Sequence, residues 1–259
     1  MYFWAAIIFW ILAWLVNIWI SHQKESRLLS LFPPVLFGVS IIFIWESCVV
    51  TFNVSPVILP PPSAIYVKFM SSIPILWEDF VQTAIKGALS GYLIGCVAAF
   101  IVSLIADKFN FLERGLLPIG NFLAAMPIIG IAPILVMWYG YGWQSKAAVV
   151  AVMVFFPILV NTVQGLKMSD QIHRDLMQTY NASYLQTMMK LRLSTAMPFI
   201  FNGLKICTTL ALIGAIVAEF FGSPIRGMGF RISTEAPRFA LDMVWAEITV
   251  AAMAGSLFY

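Results

Sequence analysis

Residues 167–197 read KMSDQIHRDLMQTYNASYLQTMMKLRLSTAM, from Lys167 to Met197. The stretch holds neither proline nor glycine and is polar over most of its length, and apolar segments of membrane-spanning length flank it. A water-facing helical hairpin between two spans is what a membrane protein needs to grip a soluble partner. Outward from it, seven segments approach the roughly twenty apolar residues that a transmembrane helix requires. They are Tyr2–Ile20, Pro34–Phe52, Ala84–Ile105, Leu116–Tyr139, Ala147–Leu166, Pro198–Phe221 and a last one from Val244. The last meets the chain end after about sixteen residues, about 24 Å of helix against a hydrocarbon core of about 30 Å. Either the sequence is truncated or the final helix stops early, and the lack of a basic tail favours truncation.

Composition agrees with this class. Of 259 residues, 61% are hydrophobic and 10% charged, with 15 Lys+Arg against 12 Asp+Glu. A soluble domain carries about 25% charged residues, so the expectation is an all-α polytopic membrane protein. No basic run interleaved with aromatics points to nucleic acid. Cys48, Cys96 and Cys207 lie inside apolar runs, where a thiol acts as a small apolar group. His22 and His173 lack ligand spacing, so neither a metal site nor a cofactor is expected. Phosphate-loop, zinc-protease and nucleophile-elbow motifs are missing. Asp170, His173 and Asp175 cluster on one polar helix without a nucleophile, which reads as a solvated face rather than a catalytic centre. Energy for any driven process must come from another polypeptide.

Lys24 and Arg27 follow the first apolar segment, which places its N-terminus outside and the 167–197 stretch in the cytoplasm. Cytoplasmic loops then hold Lys24, Arg27, Lys108, Arg114, Lys167, Arg174, Lys190 and Arg192. The outer loops hold Lys68, Lys146, Arg226, Arg231 and Arg238, while Lys86 and Lys205 lie within spans near their ends.

In the third span Gly87, Gly91, Gly95, Ala99 and Ser103 recur every four residues, leaving one face nearly bare. Such rows let helices approach closely, either within the subunit or at a seam between subunits. The fourth span carries Pro118, Pro127 and Pro133 with Gly120 and Gly130. A broken helix of this kind lines a path or is a kinked packing helix. Glu46 and Glu219 lie in apolar runs. An intramembrane charge normally faces the bundle interior or a cavity; Glu219 is expected to pair with Lys86, to serve the path, or to snorkel.

Read as a helix, the polar stretch spaces Ile172, Leu176, Tyr180, Tyr184, Met188 and Leu191 by fours and a three, an amphipathic pattern. It suits a groove on a partner protein or the lipid surface. At this point the chain resembles the permease subunits of ATP-binding-cassette importers, in their nitrate/sulfonate/taurine-type group. Their cytoplasmic loop reads Glu-Ala-Ala, three residues, Gly, nine residues, Ile-x-Leu-Pro. The register is matched by Asp175-Leu176-Met177, Asn181 and Leu191-Arg192-Leu193-Ser194. Asp175 stands for Glu, Asn181 for Gly and Ser194 for Pro; Asn tolerates the left-handed turn that the glycine serves. Also similar to the family are Leu59-Pro60-Pro61-Pro62-Ser63, Met126-Pro127, Ile131-Ala132-Pro133, Trp138-Tyr139-Gly140-Tyr141-Gly142 and Ser145-Lys146. Phe155-Phe156-Pro157-Ile158-Leu159, Asn161-Thr162, Ala218-Glu219-Phe220 and Gly227-Met228-Gly229-Phe230 complete the resemblance.

The resemblance implies a six-helix permease core at 34–259, with the coupling loop at about 167–197, and one extra N-terminal transmembrane helix with its loop at 1–33. It also implies cytoplasmic ATPase subunits, an external solute-binding protein and a second permease subunit, in a multi-pass inner-membrane complex working by alternating access. The residues it assigns to the ATPase contact are Asp175, Tyr180, Asn181, Ala182, Ser183, Leu191 and Ser194. Met126, Pro127, Pro133, Asn161 and Glu219 are the path candidates. Passengers in this group are nitrate, sulfonates, taurine, bicarbonate, or riboflavin and pyrimidine precursors of thiamine. Few cations lie in the spans, so nothing demands an anionic passenger. The competing expectation is a stand-alone secondary transporter or channel, which predicts inverted repeats and coupling-ion ligands at mid-membrane.

Overall fold

The computed structural model describes residues 2–22, 27–109 and 127–258, with positions 111, 115, 118–120 and 122 between the last two ranges. Every regular element among the described residues is helical. Helices α1 (Tyr2–Ser21), α2 (Arg27–Thr51) and α3 (Pro62–Ser71) precede the long α4 (Ile73–Lys108). Then come α5 (Ile128–Tyr139), α6 (Trp143–Lys167), α7 (Gln171–Thr179), α8 (Tyr184–Phe220), α9 (Met228–Glu235) and α10 (Leu241–Phe258). Among the described residues five helices are long and apolar enough to span a bilayer, namely Phe32–Thr51 within α2, then α4, α6, α8 and α10; Trp4–Ile20 and α5 are shorter apolar helices. Each predicted span therefore falls on an apolar helix. Most of the first half of the fourth, with Met126, lies outside the described residues.

Two of the helices are longer than their apolar cores. α4 starts eleven residues before the predicted Ala84, and α8 starts fourteen before Pro198. Both extensions run through a π-helical turn, at Val81–Leu89 and Met188–Arg192. Hydropathy marks only the greasy part of a helix; nothing in either extension breaks the backbone ladder. Pro198 sits inside α8 without ending it.

The chain forms two compact units, one of Met1–Pro74 with Thr234–Glu247, the other of Ile75–Ser233 with Ile248–Tyr259. In the first, Ala6, Ala13 and Ile20 form a buried row on α1, and Phe9 meets Phe43 of α2 edge to face at 5.2 Å. Glu46 of α2 accepts from Ser63 N (2.9 Å) and Ser63 Oγ (2.7 Å). That carboxylate satisfies an orphan amide in the first turn of α3, which accounts for an acid in an apolar run.

The second unit is built on α4, α6 and α8. Ala84, Ala88, Cys96 and Ala99 of α4 pack with Val150, Val154 and Ile158 of α6 and with Cys207, Ala211 and Ala215 of α8. The bare face of α4 is spent here: Gly87, Gly91, Gly95, Ala99 and Ser103 are all buried. A Cβ at Gly91 would lie 2.5 Å from Ala147 O and 2.6 Å from Val150 Cβ. The glycine row is an intrasubunit seam with α6.

Candidate functional site

At one end of the second unit the polar stretch leaves α6 and returns into α8. Asp170 caps α7, its side chain accepting from Ile172 N at 3.1 Å. The helix closes at Asn181, whose φ is +51°. Asn181 N donates to Gln178 O (2.8 Å) and Ala182 N to Met177 O (2.9 Å), a Schellman ending with asparagine in the left-handed position. Ser183 then opens α8 through a capping box, accepting from Gln186 N at 3.3 Å while Gln186 Oε1 accepts from Ser183 N at 2.8 Å. The stretch is thus two helices around a four-residue turn. The apolar series is broken there: Ile172, Leu176 and Tyr180 project from α7, 74%, 51% and 77% exposed, whereas Met188 is buried in α8.

Asp175, exposed on α7, accepts from Gln171 Nε2 at 2.8 Å. Tyr180, Asn181 and Ser183 are exposed, and Ala182 is half-buried. Leu191 and Ser194 lie farther along α8, beyond the turn; Leu191 is half-buried, and the exposed Ser194 donates to Lys190 O (3.3 Å) in an unbroken helix where the family's proline would stand. The asparagine yields a prediction. Asn181→Val places a β-branched residue at positive φ, costing about 1–2 kcal/mol locally, whereas Asn181→Gly is neutral. Limited proteolysis in detergent checks this, with faster hairpin cleavage expected in the valine variant alone.

The hairpin's base holds a pair that loop charges alone do not disclose. Arg192 Nη1 and Nη2 each donate to Asp107 at 2.6 Å, and its Nε donates to Leu166 O at 3.2 Å. Tyr184 Oη donates to the same carboxylate at 3.0 Å. The Asp107 side chain is 2% exposed. One guanidinium therefore ties the ends of α4 and α6 to the start of α8, and it also satisfies a terminal carbonyl of α6.

The far end of α8 carries a second polar centre. Glu219 accepts from Thr83 Oγ1 (2.9 Å to each oxygen) and from Gly229 N (2.9 Å). Met228 N donates to Thr83 Oγ1 (2.8 Å), and Gly227 N to Asp79 Oδ1 (2.6 Å). Arg231 Nε donates to Asp79 Oδ2 at 2.8 Å. Three successive amides entering α9 are thus held by buried groups of α4 and α8. Gly227, at φ +121°, would press any Cβ into the Glu219 carboxylate, which is why this segment reads Gly-Met-Gly. The expected Lys86 partner is exposed; Glu219 is buried with Thr83 and Gly229 instead. Lys146, expected in an outer loop, is fully buried in the first turn of α6. Its Nζ donates to Tyr141 O (2.9 Å), Ser145 Oγ (3.3 Å) and Gly222 O, so it fastens the Tyr-Gly-Tyr-Gly turn from within.

Of the path candidates, Pro127 caps α5 and is exposed, as is Pro133 within that helix. Asn161 is half-buried on α6, donates to Pro157 O (2.8 Å) and lies against Gly203 of α8. The structure does not gather these with Glu219 into one cluster. Nor is Lys205 near a helix end: α8 runs twenty-one residues from Tyr184 to it and fifteen more to Phe220, about 31 Å and about 22 Å.

A family model described as "Binding-protein-dependent transport system inner membrane component" matches residues 91–259. The chain belongs to this family. As a permease it is 30% identical to a probable ABC transporter permease of Haemophilus influenzae, over 86% of this chain and 90% of the relative. It is also 30% identical to the formylaminopyrimidine transport permease of Halalkalibacterium halodurans, over 86% and 89% of the two chains. A putative aliphatic sulfonates transport permease of Bacillus subtilis is 28% identical over 84% and 79%. The permease is thus the membrane component of an importer of the nitrate/sulfonate/taurine type, and the stand-alone carrier is set aside. Its relatives are transport proteins, not enzymes.

Proposed function

We propose that this permease moves a small polar solute into the cytoplasm, driven by ATP hydrolysis in separate ATPase subunits that grip the 167–197 hairpin. The observation that carries the reading is the hairpin itself, an exposed α7 and left-handed turn held at its root by Arg192 and Asp107. An exposed row of Ile172, Leu176 and Tyr180 beside Asp175 offers a helix face to a groove. In this reading residues 34–259 are the permease core, residues 1–33 add a helix, and the hairpin faces the cytoplasm with the N-terminus outside. A second copy completes the path, and a solute-binding protein delivers cargo from outside. Pro127, Pro133 and Asn161 border the route, with Met126 beside them in sequence. Glu219 holds α9 in place at the outer end. The relatives carry aliphatic sulfonates in one case and formylaminopyrimidine in another.

Purification from native membranes tests the assembly: ATPase subunits are expected to come with the permease. Asp175→Arg or Tyr180→Arg is expected to lower that recovery at least about tenfold, a loss of about 1.4 kcal/mol or more, while the permease still inserts. Full recovery in both variants overturns the docking assignment. Labelling of a cysteine at Gln178 by an impermeant reagent in intact cells overturns the cytoplasmic placement.

A further inference from the structure

The first unit carries a polar cleft that plays no part in the importer reading. It is open-sided, about 420 Å³ in volume, and lined by Ser63, Ala64, Val67, Lys68 and Ser71 of α3 with Asp242 of α10. Small-molecule sites run from about 300 to about 1,000 Å³. Ser63, Val67 and Ser71 recur every four residues, as do Ala64 and Lys68, so the wall is one side of α3. Asp242 stands in the first turn of α10, a helix apolar enough to span the bilayer. The cleft is therefore at the boundary where lipid headgroups lie. Beside it Tyr66, Val67 and Met70 are exposed, an apolar shoulder of α3 suited to acyl chains.

The polar groups of the cleft have both signs and are not used up on each other. Lys68 Nζ lies 3.9 Å from Asp242 Oδ2, beyond hydrogen-bond length, and both side chains are partly exposed. Asp242 Oδ1 accepts from Met243 N at 2.8 Å, which orients the carboxylate. Ser63 Oγ donates to Glu46 Oε1 (2.7 Å) and Ser71 Oγ to Lys68 O (3.0 Å). Both hydroxyl protons are thus committed within the protein, which leaves the two oxygens as acceptors on the cleft wall.

We propose that this cleft holds the headgroup of phosphatidylethanolamine, its phosphate on Lys68 and its ammonium on Asp242. A lysine meets a phosphate as a point charge, and the three N–H donors of a primary ammonium find Asp242 and the serine oxygens. A choline headgroup lacks those donors and is held by aromatic faces; none of the six described lining residues is aromatic. A glycerol headgroup brings an anion without a cation for Asp242. A free zwitterion shares the chemistry but has no use for the apolar shoulder.

For the test, full-length permease in mild detergent is offered phosphatidylethanolamine, phosphatidylcholine and phosphatidylglycerol in equal amounts, with identical acyl chains. Native mass spectrometry reads the first lipid retained. The ethanolamine lipid is expected to exceed each of the others at least about tenfold. Asp242→Asn keeps the acceptor for Met243 N but leaves the lysine alone, so the ethanolamine-to-glycerol ratio is expected to fall about tenfold. Lys68→Gln is expected to lower retention of all three lipids, and Lys68→Arg to keep the wild-type order. Equal retention of the three overturns the headgroup assignment, and a ratio unmoved by Asp242→Asn overturns its place. Displacement of the retained lipid by soluble phosphoethanolamine overturns the lipid in favour of a water-borne zwitterion. These ratios are read without ATPase subunits, so failure of ATPase co-purification counts against the importer reading separately.

Discussion

Gly91→Leu is expected to abolish recovery of folded permease. Even a bare Cβ at this position would lie 2.5 Å from the carbonyl of Ala147 and 2.9 Å from its Cα. Those are backbone atoms of α6, so no rotamer change relieves the clash, and α4 and α6 would have to part. Overpacking by single methylenes costs about 1–3 kcal/mol, and leucine adds four carbons. Set against a typical total stability of about 5–15 kcal/mol, the change removes most of what holds the helices together. Size-exclusion profiles of tagged protein in mild detergent provide the measurement. The leucine variant is expected to give aggregate only, and Gly91→Ala a reduced monodisperse peak. A normal peak from Gly91→Leu would mean that α4 and α6 are not in contact there.

The second large effect belongs to the hairpin root. Arg192→Ala leaves the nearly inaccessible Asp107 carboxylate without its guanidinium and Leu166 O without its donor. Removing one member of a buried pair costs about 3–5 kcal/mol, whereas replacing both members is much milder. Arg192→Ala should therefore destabilise the permease more than Arg192→Leu combined with Asp107→Leu. Thermal unfolding of the purified variants decides it. If the single variant melts with the wild type, the pair does not hold the three helix ends together.

What the chain alone discloses, and what it withholds, follows from the range of each signal. The glycine row on α4 is legible because a four-residue spacing is local, and the hairpin because a mostly polar stretch of about thirty residues interrupts a greasy chain. Asn181 is legible through the turn chemistry of its own side chain. Asp107 and Arg192, by contrast, are eighty-five residues apart, and either reads singly as an ordinary loop charge. Asp79, Thr83 and Gly227 are silent for the same reason: their meaning lies in amides of a distant segment. Lys146 reads as a loop residue because the apolar run begins beside it, although the helix has already started and its head group turns inward. Lys205 reads as near a helix end because Pro198 looks like a boundary; the proline lies within a continuous α8, and the lysine moves to mid-helix.

That continuity gives the π turn at Met188–Arg192 a directional role. Each residue of an α-helix advances the chain by about 100° around its axis, and a π turn accommodates an additional residue without interrupting the rod. Deleting a single residue between Met188 and Leu191 would restore ordinary winding and leave everything downstream where it is. The tip at Asn181 would keep its bearing too, whereas the same deletion in the ordinary winding on either side would turn it by about a quarter turn, with its surface chemistry intact but aimed elsewhere.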